Sequence, residues 1–206
     1  MGPKDLSLAF HPLTPERWED FETLFGERGA CGGCWCMVWR RTRKEFDANK
    51  GAGNKAAMKA LVKKEAVPGI LAYSNGEAIG WCAIAPRECY VSLERSRVLK
   101  AVDDVPVWSI SCLFIARPFR GRGVSVELLK AAVQFAREQG ATVVEGYPVE
   151  PREEKMPDVF AWTGVPSAFL QAGFTEHHRG SPTRPIMRID VKSLPNARSR
   201  RKSTRK

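Results

Sequence analysis

The run from Val107 to Tyr147 narrows the folds open to this chain more than any other stretch. Residues 107–116, VWSISCLFIA, are rich in β-branched and aromatic side chains and read as a strand. Residues 117–125, RPFRGRGVS, then open a helix whose apolar side carries Val126, Leu129, Val133 and Phe135 or Ala136, and Gly140 ends it. Ala141 to Tyr147 reads as the next strand. Two strands joined through a helix lie parallel, because a tight turn reverses the chain and a crossover does not. The spacing therefore predicts a β-loop-α-β unit around which the remaining elements must be arranged.

Those elements are legible in outline. Leu6, Leu8 and Phe10 alternate with Ser7 and Ala9 as in a short strand. Thr14-Pro15 has the hydroxyl and the proline of a helix start, with Trp18, Phe21, Leu24 and Phe25 on one face. Asn54 is placed to cap a second helix running to about Ala66, closed by Pro68. Gly69 to Tyr73 and Ala78 to Ala85 are apolar runs joined through Asn75-Gly76, a hairpin signal. Pro166 to Ala172 predicts a short helix stopped by Gly173, and Pro185 to Val191 a last strand. With 206 residues, 43% of them apolar, the chain suits one compact domain over residues 1–195.

Charge and cysteine content need locating before they say anything about function. Of the net charge of +10, the eleven residues NARSRRKSTRK at 196–206 hold six Lys or Arg and no acid, leaving +4 on the rest. The basicity is that of a tail, expected to be disordered, and not of a nucleic-acid-binding domain. Cys31, Cys34 and Cys36 crowd together in CGGCWC, but Cys82, Cys89 and Cys112 form no second ligand pair, so no metal site is expected. A thioredoxin-type redox site would need a strand followed at once by a helix N-terminus, which this region does not supply. The reading is a glycine-permitted turn with small thiols packed beneath aromatic rings. No run approaches a membrane span and no secretory leader is evident, so a cytoplasmic protein is expected, reduced and without a membrane partner.

The chemistry sits at the glycine turn. Where a strand feeds a helix N-terminus, unpaired backbone N–H groups converge and the helix dipole favours an anion, here a diphosphate. Gly121 and Gly123 remove side chains from its path, while Arg120 and Arg122 add cationic donors. The turn lacks the Gly-Lys-Ser/Thr ending of a Walker loop and is not GxGxxG.

The strand at 107–116, this turn, the long helix, the strand to Tyr147 and the later AFLQAGF at 168–174 together resemble the GNAT superfamily of acetyl-CoA-dependent N-acetyltransferases. That family's turn, Gln/Arg-x-x-Gly-x-Gly/Ala, is matched by Arg120 and Gly123, with Ser125 as a small departure. The resemblance is good over residues 70–192. It implies an α+β fold: a mixed, mostly antiparallel central sheet, flanked by helices, with one parallel pair splayed between the fourth and fifth strands. Acetyl-CoA would be the cosubstrate. Cys112, Leu113, Phe114 and Ile115 would hold its pantetheine and acetyl arm, and Arg120, Gly121, Arg122, Gly123, Val124 and Ser125 its pyrophosphate. A backbone N–H of that strand would stabilise the oxyanion as an amine attacks the thioester.

A tyrosine often stands in this family where this sequence has Phe169, so the usual acid for the departing thiolate is missing. Tyr147 is the nearest phenol by order, or else a half-buried strand residue. Glu145 is the best carboxylate for a base or an ammonium anchor, or else it faces solvent. Trp35, Trp39, Trp81 and Trp162, with Asp103, Asp104 and Asp158, could line an aromatic and acidic pocket for a small-molecule amine. The combination of GGCWCMVWR, VDDVPVWSI, EGYPVEP and FAWTG is similar to a bacterial GNAT subgroup expected to include the kasugamycin acetyltransferase of aminoglycoside resistance. Other readings stay open: a protein or peptide N-acetyltransferase, or a binding protein that has lost catalysis. Pairing of two copies into a homodimer is also open.

Overall fold

A computed structural model describes residues 6–64, 66–151 and 161–193. The expected basic tail and Asp158 lie outside the described residues. Seven strands, β1 (Leu8–Pro12), β2 (Gly69–Ser74), β3 (Glu77–Pro86), β4 (Trp108–Ile115), β5 (Val143–Gly146), β6 (Thr175–Ser181) and β7 (Arg184–Asp190), form one sheet in the order β1-β2-β3-β4-β5-β7-β6. Every adjacent pair is antiparallel except β4 and β5, which are parallel as the crossover requires. The fold is α+β, with a mixed, mostly antiparallel sheet flanked by helices. Asn75 and Gly76 both take positive φ, 51° and 81°, giving the β2–β3 turn the twist that matches its strands.

The crossover helix α5 (Val124–Glu138) covers one face of the sheet. Its buried stripe is Val124, Leu128, Leu129, Ala132, Val133 and Ala136, at helical spacing. Leu129, Val133 and Ala136 were expected there; Val126 and Phe135 pack at its edge, and Val124, Leu128 and Ala132 complete it. The other face carries α1 (Trp18–Phe25), α3 (Ala52–Lys63) and the turn at residues 29–37. There Phe21, Phe25, Trp35 and Trp81 pack ring on ring, with Phe21 edge-on to Trp81 at 4.8 Å. The excursion from Arg87 to Val105, which contains α4 (Val91–Glu94), packs Tyr90, Leu93 and Leu99 against Ala85, Tyr147 and Ile186.

Several local expectations change. Thr14 makes no side-chain cap, and the first turn at Pro15–Arg17 is a 3-10 turn leading into α1. Asn54 lies inside α3, fully buried, where it accepts from Arg41 (2.8 Å) and donates to the Gly33 carbonyl (3.2 Å); it ties the 29–37 turn to the helix instead of capping it. Helix α2 (Arg43–Ala48) was not anticipated, although Thr42 and Glu45 form a reciprocal capping box. Strand β6 was also missed. Its residues are exposed from Thr175 to Gly180, so it has no apolar alternation to read and is held by its ladder with β7. Short α6 (Pro166–Gln171) lies where the sequence placed it.

Candidate functional site

The parallel pair is short, joining only Trp108, Ser109 and Ile110 to Val144, Glu145 and Gly146. Just beyond it the β3–β4 register passes from Ile84 with Ile110 to Ala83 with Cys112, leaving Ser111 as a bulge that bends β4 away from β5. From there Phe114 and Ala116 turn their backbone groups toward β3, as the bond from Ala116 N–H to the Ile79 carbonyl shows (2.9 Å). By alternation Leu113 and Ile115 present theirs to the opened edge. The Leu113 N–H is met there by the Trp162 carbonyl at 2.7 Å, and the Gly164 carbonyl in turn accepts from Val149 N–H (3.0 Å).

A cavity of about 470 Å³ lies along this edge. One wall is Leu113, Phe114 and Ile115, one end is Phe119 to Gly121 with Gly123 to Ser125, and the opposite wall is Trp162, Gly164 and Val165 with Ala168 of α6. Ala30 and Cys31 close it from the N-terminal turn. At the turn, Gly121 (φ 68°) and Gly123 (φ 75°) adopt the left-handed conformation that glycine takes without a Cβ clash. The first α5 hydrogen bonds run from Val126 and Glu127 to the Gly123 carbonyl, so the amides of Val124 and Ser125 precede them and face the helix start. Arg120 Nε donates to the Ile115 carbonyl (2.9 Å), pinning the turn to the end of β4.

Of the residues expected at a cofactor, Leu113, Phe114, Ile115, Arg120, Gly121, Gly123, Val124 and Ser125 line this cavity. Two do not. Cys112 is buried in the N-terminal aromatic cluster, where its hydrogen bond with Cys36, together with burial, pushes its thiol up. Arg122 turns its guanidinium over the Phe119 ring (5.9 Å) with its Nε buried.

The expected catalytic pair is not at the cavity. Glu145 is 1% exposed; it accepts from Arg188 Nε at 2.6 Å and from the Tyr147 hydroxyl at 2.8 Å, with Arg87 at 3.5 Å. Tyr147, fully buried, also meets Arg87 (2.8 Å) and Ser109 (2.7 Å) through its hydroxyl. Burial and the neighbouring Glu145 carboxylate raise its pKa far above that of a free phenol. These groups lock the 87–105 excursion onto the sheet, because Arg87 also reaches Glu94 and the Leu99 carbonyl and Arg188 grips Asp103 with both terminal nitrogens. None of the three tyrosines lines the cavity.

The aromatic and acidic set divides similarly. Trp162 lines the cavity and its ring lies 5.8 Å from that of Trp39 at 32°, so these two come together. Trp81 is fully buried, its indole N–H directed at Cys36 Sγ, and Trp35 is buried among Trp18, Phe21 and Phe25. Both are core. Asp103 is held by Arg188, which depresses its carboxyl well below the usual range, and exposed Asp104 is not at the cavity. Phe169 is a core ring wedged so tightly that a Cβ on Gly146 would fall 2.0 Å from it. Of the wall formed by Ala161, Trp162, Gly164 and Val165, Trp162 was anticipated and the others were not, although the left-handed Gly164 (φ 83°) ahead of Val-Pro is a turn signal. No helix among the described residues is long and apolar enough to cross a membrane, and none of their His, Cys, Asp and Glu side chains gather in threes to hold a metal.

A largely antiparallel sheet that parts beside a glycine turn and a helix N-terminus is the architecture of GNAT-type acetyltransferases. The sequence profile of the acetyltransferase (GNAT) family matches residues 33–156, more than half the chain, and the chain belongs to that family. Solved structures agree on the fold at low identity. An acetyltransferase of the GNAT family from Listeria monocytogenes is 12% identical with a TM-score of 0.54, over 90% of this chain and 95% of its own. An agmatine N-acetyltransferase variant is 13% identical with a TM-score of 0.56, over 89% and 99%. The PaiA N-acetyltransferase of Thermoplasma acidophilum, in complex with coenzyme A, is 13% identical with a TM-score of 0.50, over 90% and 99%. No curated protein matches the chain by sequence.

Proposed function

We propose that this chain transfers acetyl from acetyl-CoA to a primary amine of a small molecule, an aminated sugar of the aminoglycoside type, with kasugamycin the first acceptor to test. The observation that carries the cosubstrate is the single cavity joining the opened edge of β4 to the start of α5. Its parts fit the group. The amides of Val124 and Ser125 suit a diphosphate and left-handed Gly121 and Gly123 shape the cradle. The Ile115 edge position suits an amide-bearing arm. Acetyl-CoA supplies the activated acyl group as a thioester. The chain's part is to hold that arm along β4, to aim a backbone N–H of β4 at its carbonyl and to keep water out with Phe114, Trp162 and Val165.

The acceptor reading rests on Trp39 and Trp162, whose paired rings offer flat apolar surface to a sugar, and on the sequence segments that resemble the kasugamycin-modifying subgroup. Among the described residues no carboxylate lines the cavity. How much help the chain must give in deprotonation depends on how basic the acceptor is. Freeing a lysine-like amine at neutral pH costs about 4–5 kcal/mol, an α-amino-like one about 1 kcal/mol. The amines of a sugar, flanked by electron-withdrawing hydroxyls, fall toward the second case.

The test is mass spectrometry after incubation with acetyl-CoA and a panel of kasugamycin, other aminated sugars, polyamines and peptides, beside calorimetry of acetyl-CoA with wild type and Gly123→Val. Acetylated aminated sugar and lost cofactor affinity in the variant are expected. Acetylation confined to peptides would replace the acceptor reading with a protein N-acetyltransferase. Cofactor binding without any acetylation would leave a binding protein. Unchanged affinity in the variant would remove the turn from the cofactor site.

A further inference from the structure

Of the six cysteines, Cys31 and Cys89 are exposed, and Cys31 alone lines the cavity. The GGCWC segment explains how. Cys31 is extended (φ −129°, ψ 119°), while Gly32 (φ 57°) and Gly33 (φ 71°) are both left-handed. Cys34 N–H donates to the Cys31 carbonyl at 3.1 Å, closing a two-residue turn whose two positive φ angles glycine adopts without strain. The turn places Cys31 on the cavity wall beside Ala30, exposed and in one space with Leu113 to Ile115, Trp162 and the glycine turn that opens α5. Cys34 is left behind it, half-buried, its thiol directed at the Gly29 carbonyl (3.5 Å).

We infer that Cys31 is a thiol-exchange site for the disulfide of coenzyme A, which docks one adenine-diphosphate arm in the cavity and becomes covalently joined to the chain. This rests on the acetyl-CoA reading above. The Cys31 thiol loses its proton to solvent and its sulfur attacks one sulfur of the disulfide. The S–S bond of the reagent breaks, a new one forms between Cys31 Sγ and the docked half, and the other half leaves as a thiolate that takes up a proton. One disulfide is consumed and one is made, so the oxidant is the reagent itself. The bound half then fills the cavity and blocks acyl transfer until a small thiol reverses the step.

Cys34 sets how long that state lasts. A hydrogen-bonded turn keeps its end Cα atoms within about 7 Å, compatible with the roughly 4.4–6.8 Å of a disulfide. Attack by Cys34 on Cys31 would release the second coenzyme A thiol and leave an internal disulfide. Desolvation pushes the Cys34 thiol up to about 11, so it is protonated at neutral pH and this second step is slow there. The mixed disulfide is the product expected at neutral pH, with the internal disulfide growing in as pH rises.

The experiment incubates the full reduced chain with coenzyme A disulfide or with glutathione disulfide and maps adducts by peptide mass spectrometry over time. Modification of Cys31 by coenzyme A disulfide at least about tenfold faster than that of Cys89, lost when desulfo-coenzyme A fills the cavity, is expected from the effective concentration that docking gives. The same advantage should be absent with glutathione disulfide, and Cys31→Ser should remove the fast adduct while Cys89→Ser keeps it. Equal rates at Cys31 and Cys89, or equal rates with the two reagents, would overturn the site. Calorimetry with desulfo-coenzyme A separates the two levels. Binding without Cys31 selectivity defeats this inference alone, and no binding defeats the cofactor reading beneath it.

Discussion

Replacing Glu145 by Gln separates a structural carboxylate from a reacting one. The glutamine keeps one oxygen, but its NH2 must face either Arg188 Nε or the Tyr147 hydroxyl, both of which donate to the carboxylate at 2.6 and 2.8 Å. At 1% exposure there is no water to step in. Arg188 retains Asp103 and Arg87 retains Glu94, so neither guanidinium is left without an acid. The loss is therefore about one charge-assisted hydrogen bond and the weakening of a second, roughly 2–4 kcal/mol. For a chain of this size that lowers the thermal midpoint by about 5–15 °C, at 2–4 °C per kcal/mol. The assay is thermal unfolding by circular dichroism, paired with the pH profile of turnover below the midpoint. Turnover should keep the wild-type pH slope, because Glu145 does not reach the cavity. A midpoint within about 1 °C of wild type, together with a rate loss that fades as pH rises, would show that the carboxylate moves the amine's proton and would refute this placement.

Gly146→Ala should cost about 1–3 kcal/mol by overpacking, since its Cβ would sit 2.0 Å from Cε1 of Phe169, and Phe169→Leu in the same chain should recover part of the lost thermal midpoint. Asp103 is held in its charged form by Arg188 in the folded chain, so its contribution is present above its unfolded pKa near 4 and lost as pH falls below it. Asp103→Asn should accordingly flatten the acid limb of a plot of thermal midpoint against pH while lowering the neutral plateau. Elemental analysis of chain purified without chelator should return no stoichiometric metal, and one zinc per chain would assign the 31–36 cysteines a role as ligands.

The turn at 120–125 was legible because its chemistry is local: glycines at positive φ, a strand before and a helix after are all written within a few residues. The parallel pair followed from the same segment. The fate of Glu145 and Tyr147 was not, since side-chain alternation puts them on one face but their partners come from Arg87 and Arg188, far away in sequence. An acid in an apolar strand reads the same whether it meets a substrate or a guanidinium. The tryptophans split for a related reason: Trp81 and Trp35 are enclosed by rings contributed by α1, whereas Trp162 sits on a loop whose course depends on β4 having parted from β5. Helix α2 was readable and missed, as Thr42 and Glu45 carry its start within four residues.

The bond from Leu113 N–H to the Trp162 carbonyl has a thermodynamic consequence. A strand whose edge opens in mid-sheet presents bare main-chain donors that another chain could pair with, a route to aggregation. Here the loop's own carbonyl answers one of them at 2.7 Å. Any ligand arm that lays its amides along β4 at this point must therefore exchange one hydrogen bond for another, so that contact adds little net enthalpy. Affinity would then come chiefly from the charged end at α5 and from apolar burial along Phe114 and Val165, and calorimetry should register it in the heat capacity more than in the heat.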